Sequence, residues 1–194
     1  MAGEILTVIN WVDIILAIAA IRIVYIGFRQ GFIVELFKTL GIFLAAIVSL
    51  HYYIELSDLI ALSSFLTTAF ADPLCFVLLI GVIVIIFKFA RDGFNAIFKV
   101  EPIRIVKTWG GFLLGLARAL IFSSLLIYGL LISGSDYIAK SARQSFSANR
   151  LMGVAPAIYT STFEKIISKF FPSEQENGSV VEITRSSQHG SRKK

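Results

Sequence analysis

The sequence predicts an all-α polytopic membrane protein, with four transmembrane helices and amphipathic helices lying at the interface. Three observations predict it. Hydrophobic residues make up 56% of the 194 positions and charged residues 16%, against about 45–50% and about 25% in soluble domains. The apolar residues gather into four runs close to the roughly 17–25 residues that a span requires. The cations gather in two of the connections between those runs, and short loops rich in Lys and Arg stay in the cytoplasm. A membrane domain is therefore expected over residues 1–171, with spans at about 10–26, 32–50, 74–89 and 110–133.

The first residues, Met1-Ala2-Gly3-Glu4, lack the positive region and small-residue cleavage site of a secretory signal. The first apolar run is expected to remain as an anchor. Asn10 suits the N-cap of that run, and Asp13 then falls in the first turn, where a carboxylate complements the positive end of the helix dipole. The alternative makes Asp13 part of a polar pathway through the membrane. Arg22 lies in the last turns of the span, from where its stem lets the head reach the interface.

Between the first two runs stands the joint Gly27-Phe28-Arg29-Gln30-Gly31-Phe32. Gly27 and Gly31 let the chain reverse within a few residues, and Arg29 marks that reversal as cytoplasmic. Glu35 and Lys38 follow in the first two turns of the second span, sharing a face at i, i+3. Further along, Gly41, Ala45 and Ser49 recur every four residues, a ridge on which another helix can come close.

His51 to Asp72 contains Glu55 and Asp58 but no Lys or Arg, so it is expected outside the cytoplasm. Its one-sided apolar pattern over 57–70 predicts an interfacial helix. Asp72-Pro73 reads as cap and first residue of the third span, which is bulky nearly all round and should face lipid broadly. Lys88, Arg91, Lys99, Arg104 and Lys107 then outnumber Asp92 and Glu101 and mark the second cytoplasmic connection.

The fourth span carries an unbroken small-residue ridge, Gly111, Gly115, Ala119 and Ser123, with Arg118 beside it. The matching ridges predict that spans two and four cross closely there. After it, residues 135–152 are weakly helical in pattern. Residues 156–171 put Ile158, Tyr159, Phe163, Ile167 and Phe170 on one face, an amphipathic helix expected on the membrane or on the bundle's outer face. The stretch 172–194 has little to bury and is expected to be disordered. Both termini should lie on the far side of the membrane from the two basic connections.

Catalytic signatures are missing: there is no phosphate loop, HExxH, GxSxG, CxxC or EF-hand pattern, so no enzyme, cofactor or metal site is indicated. Cys75 has no second cysteine to pair with. The formal charge of +5 sits beside apolar runs or in the tail, where anionic lipid headgroups are nearer partners than nucleic acid. What remains is a set of charges that depth could bring together: Arg22, Glu35, Lys38 and Arg118. Arg118 and Glu35 are expected to pair, either as helix glue with a seat for lipid phosphate or as an anion-accepting or gating cluster.

Taken together, Asp13, the joint Gly27 to Phe32 with Glu35, the exit His51-Tyr52-Tyr53 with Leu56-Ser57, and Gly111, Gly115 and Arg118 resemble the colicin V production protein (CvpA) family of bacterial inner-membrane proteins. The resemblance covers about residues 10–170. It departs before Gly111, where relatives often carry an Asp-Arg pair and this chain has Lys107-Thr108, so any role of that acidic residue does not carry over. The resemblance implies a four-span protein of the inner membrane, acting in toxin production or export and in envelope maintenance, and the two basic connections make both termini periplasmic. Two functions are carried forward from it: a non-enzymatic accessory or scaffold, as a homo-oligomer or with an export or envelope partner, and a small channel or transporter built on the Arg22, Glu35, Arg118 cluster.

Overall fold

The computed structural model describes residues 10–63, 68–97, 105–170, 177–180 and 182. Among them the ordered elements are helical: α1 (Trp11–Gln30), α2 (Phe32–Ser63), α3 (Thr68–Ile97), a π-helical turn (Val106–Gly110) leading into α4 (Gly111–Leu131), then α5 (Asp136–Gln144), α6 (Phe146–Leu151) and α7 (Val154–Thr162), a second π turn (Phe163–Ile167), and α8 (Ser168–Phe170). Four helices are long and apolar enough to cross a membrane, so the chain is a multi-pass membrane protein.

Each span forms for a reason visible in the residues. Asn10 caps α1, its side chain accepting from the Val12 amide at 3.4 Å. The helix then runs through Gly27 and Arg29 to Gln30, four residues past the expected end. The reversal narrows to one residue, Gly31, with φ 86°, a left-handed conformation that a side chain would resist. Gly27 is helical, and its missing side chain serves packing instead.

The second span is longer than expected. α2 does not stop near Leu50 but continues through His51, Tyr53 and Ser57 to Ser63, 32 residues or about 48 Å of helix. The separate interfacial helix expected over 57–70 is therefore corrected: its first half is the far end of α2, and residues 64–67 lie outside the described part. The polar residues that suggest a break have partners across the bundle. His51 Nδ1 and the Tyr159 hydroxyl share a hydrogen bond of 2.9 Å, and Ser57 donates to Asp72 at 2.5 Å. Asp72 accordingly serves α2 and does not cap α3, which begins at Thr68 and carries Pro73 about one turn inside. Inside the helix, Pro73 cannot donate to the carbonyl four residues back.

Packing sets the order α1, α4, α2, α3 across the bundle, each helix lying mainly on its neighbour in that row. The row explains burial. In α1 and α3, 17% of the most apolar window is buried, against 44% in α2 and α4, so the outer pair faces lipid with residues such as Ile18, Ile21, Ile85 and Phe89 while the inner pair carries the core. That core centres on Leu50, Tyr53, Phe76, Leu125, Tyr128 and Tyr159. A second cluster, with Val12, Leu16, Ile127 and Met152, ties α1 and α4 to α5 and α6.

The small-residue ridges meet other partners than expected. A Cβ on Gly27 would lie 2.7 Å from the Gly111 carbonyl oxygen and 3.0 Å from Gly115 Cα, so the fourth span's ridge takes α1, not α2. Gly41 faces Phe87 of α3, whose Cβ would stand 2.9 Å from an added Cβ. Ala45 and Ser49 are buried in α2, and Ser49 donates to Ala46 O at 3.5 Å. Helices α2 and α4 meet instead through polar ties: Thr39 Oγ1 to Leu114 O at 3.3 Å, and a 3.1 Å bond between the Tyr53 and Tyr128 hydroxyls. Close backbone approach needs small residues at the crossing, and α1 offers Gly27 opposite Gly111.

The segment after α4 folds onto the end of the bundle remote from Gly31. Ser124 accepts from Ala155 N at 2.8 Å and donates to Met152 O at 3.0 Å, anchoring the start of α7, and Ala155, Pro156, Tyr159 and Phe163 are buried. The disorder expected throughout 172–194 is corrected at Asn177–Val180. Asn177 donates to Leu50 O at 2.9 Å and Val180 is fully buried, whereas residues 171–176, 181 and 183–194 lie outside the described part.

Candidate functional site

Glu35 stands at the centre of the charged residues. It sits one turn past Gly31 on the face of α2 that meets α4, fully buried, with Arg118 Nε 2.9 Å from its Oε1 and Lys38 Nζ 3.7 Å from its Oε2. Arg118 reaches it from α4 with 12% of its side chain exposed. A second guanidinium nitrogen donates to the Ile23 carbonyl of α1 at 3.3 Å. Three spans are thus joined through one arginine. The close approach of Gly27 to Gly111 and Gly115 makes this reach feasible, since a Cβ on Gly27 would also stand 3.4 Å from the Glu35 carboxyl carbon.

These contacts are ionic rather than aligned hydrogen bonds: both Glu35 oxygens and Arg118 Nε lack a hydrogen-bond partner of good geometry. In a low-dielectric setting the attraction is strong without alignment. Lys38 also donates to Gln30 Oε1, which draws its head toward the end of α1.

Arg22 does not join that ion pair. It is exposed on α1 and lines a groove together with Lys38, Lys88, Arg91 and Arg118. The sequence places Lys88 and Arg91 in the second connection and at the rim of the charged set; α3 extends to Ile97 and holds both inside the helix, beside the groove. Arg91 pairs with its neighbour Asp92 at 2.6 Å. Arg29 is exposed and donates to the Tyr25 hydroxyl at 3.1 Å.

Asp13 lies at the other end of the molecule and does not bond back to its own cap. Its carboxylate accepts from Ser145 Oγ at 2.7 Å, Ser147 N at 2.8 Å and Phe146 N at 3.2 Å. It is a cap for α6, supplied from α1. Ser145 caps the same helix, accepting from Ala148 N at 3.2 Å. Asn10 adds a bond to the Ser141 carbonyl. Val12 and Leu16, on either side of Asp13 in α1, are buried in an apolar cluster with Ile127 and Met152.

Two polar features escaped sequence reasoning. One is the buried chain His51, Tyr159, Asn177, in which the Asn177 amide donates to the Tyr159 hydroxyl at 2.9 Å. The other is the Tyr53–Tyr128 pair with Phe76 edge-on to Tyr53. A lone aromatic in an apolar run gives no signal of its partner. Among the described residues no group of three or more His, Cys, Asp or Glu is placed to hold a metal.

No curated protein and no solved structure matches the chain. The family model described as colicin V production protein matches residues 12–156, a stretch that takes in all four spans, the Glu35–Arg118 contact and the Asp13 cap. The chain belongs to the colicin V production protein family.

Proposed function

We propose that the chain is a non-enzymatic accessory or scaffold of the bacterial inner membrane, supporting peptide toxin production or export and envelope maintenance. One observation carries the reading: the carboxylates Glu35 and Asp13 are spent on joining helices. Glu35 is fully buried between Arg118 and Lys38, and Asp13 is taken up by the start of α6. A transport site needs charges that exchange partners with a solute, and ion pairs closed by three spans favour rigidity instead.

The orientation proposed is the one the cations favour. Arg29, Arg91 and Lys107 lie toward the end of the bundle that holds Gly31, which would be cytoplasmic, and α5 to α8 would be periplasmic. A cysteine placed at exposed Ser161 should react with an impermeant maleimide in intact cells whose outer membrane has been permeabilised.

Purified protein in liposomes should pass neither ions nor small solutes, and deletion in a toxin-producing host should lower secreted toxin and detergent resistance. A flux that vanishes with Arg118→Ala would overturn the reading in favour of a small channel or transporter. A deletion that leaves secretion and resistance unchanged would overturn the accessory role itself.

A further inference from the structure

The outer helices α1 and α3 flank a groove of about 520 Å³ whose floor is formed by α2 and α4. All four spans send cations to it: Arg22 from α1, Lys38 from α2, Lys88 and Arg91 from α3, and Arg118 from α4. Arg22, Lys38 and Arg118 lie about 9–12 Å from the ends of α1, α2 and α4 on the Gly31 side, at 1.5 Å per residue, and Lys88 and Arg91 are level with Lys38 on α3. The depths agree because Gly41 touches Phe87, and the rings of Phe37 and Phe94 are 5.2 Å apart, setting α2 and α3 in register.

Two carboxylates face these five cations. Glu35 lies behind the floor against Arg118 and Lys38, and Asp92 sits beside Arg91. Arg22 and Lys88 have no ion pair among the described residues. Like charges gathered at this depth repel one another across a medium that screens them poorly, so the groove is complementary to an anion. Its remaining walls are apolar, including Ile23, Ile42, Phe87 and Phe122. The rim residues Arg22, Val84 and Lys88 are exposed, on the side where lipid would lie.

We propose that this groove seats a phosphate-bearing anionic lipid, its headgroup among the five cations and the start of an acyl chain along Ile42, Phe87 and Phe122. The volume falls within the roughly 300–1,000 Å³ of small-ligand sites. A phosphate has enough anionic oxygens to accept from several converging donors, and guanidinium forks match its geometry, whereas a carboxylate offers two oxygens. Free phosphate gains nothing from the apolar walls and loses hydration against them. The proposal is independent of the accessory role: a channel could hold the same lipid.

The test compares the whole protein in phosphatidylcholine nanodiscs with and without added phosphatidic acid, reading thermal stability and the phospholipid retained through purification. Phosphatidic acid should raise the melting temperature and be retained. Arg22→Gln with Lys88→Gln, which breaks no ion pair, should weaken retention about thirtyfold, since each basic residue is worth about 1 kcal/mol toward an anionic lipid. Arg22→Lys with Lys88→Arg should restore it. Removing equal charge elsewhere, with Lys165→Gln and Lys169→Gln at the exposed far end, should leave retention unchanged. Equal loss in that control would overturn the site as unspecific surface charge. Stabilisation by inorganic phosphate alone, or by oleate as strong as by phosphatidic acid, would overturn the lipid and the phosphate respectively.

Discussion

Gly27 of α1 and Gly111 of α4 meet backbone to backbone: a Cβ on Gly27 would stand 2.7 Å from the Gly111 carbonyl oxygen, and one on Gly111 would stand 3.2 Å from Gly31 Cα. No flexible side chain is available there to yield. Gly27→Ala should therefore force α1 off α4 and lower stability by about 1–3 kcal/mol, the usual range for overpacking. Gly81 supplies the contrast, with nothing within 4 Å of an added Cβ, so Gly81→Ala should be neutral or gain up to about 1 kcal/mol of helix propensity. Thermal unfolding of both variants in one mild detergent checks the pair, and equal losses would count against a backbone contact at Gly27.

The cap that Asp13 supplies to α6 predicts coupling between residues 132 positions apart. Asp13→Ala and Ser145→Ala should each cost about 0.5–2 kcal/mol, as lost caps do. Because the Ser145 hydroxyl joins both, the double variant should lose less than the two singles together, by more than about 0.5 kcal/mol. Limited proteolysis should show new cleavage within α5 and α6 in either single variant. Strict additivity would mean that Asp13 acts through the Phe146 and Ser147 amides and not through the Ser145 hydroxyl.

Much of the fold is legible in the sequence, and the failures share a physical origin. Apolar run length locates the spans because the hydrocarbon core imposes it, and the cations at Arg29 and Lys107 mark the same end. The far half of α2 is hidden because hydropathy registers His51 and Ser57 as breaks, although each is satisfied by a partner distant in the chain, Tyr159 and Asp72. Ridges fail differently. A spacing of four at Gly111 and Gly115 announces that some backbone comes close but not which one, and Gly27 is inconspicuous as a single glycine in a helix end. Glu35 and Arg118 are easier, being single charges at like depth in two apolar runs, and they stand 2.9 Å apart.

Tyr159 locks α7 and residues 177–180 to α2 through one hydroxyl, which meets His51 Nδ1 and the Asn177 amide, each at 2.9 Å. Tyr159→Phe keeps the ring among Tyr53, Phe163 and Val180 but leaves both polar groups without that partner. A loss of about 1–3 kcal/mol is expected, with faster hydrogen exchange at the Asn177 amide than in the α4 core. Unchanged exchange at Asn177 would show that its amide is held by something else.

The Glu35–Arg118 contact yields the sharpest test, because a buried charge is costly alone and cheap in company. Glu35→Met leaves Arg118 without an ion pair inside the bundle and should destabilise by about 3–5 kcal/mol, whereas Arg118→Met leaves Glu35 with Lys38 at 3.7 Å and should cost less. The double variant replaces the pair by apolar side chains of similar length and should recover most of that loss, since burying two ions costs nearly what their attraction returns. Arg118 also donates to Ile23 O, and Lys38 keeps a distance of 3.7 Å from Glu35, so recovery should stop short of the wild type. Melting curves of the four proteins measure the coupling. If the double variant is stable and toxin secretion in its host is normal, the pair serves the fold. Restored stability with lost secretion would instead assign the charges a part in function that packing does not explain.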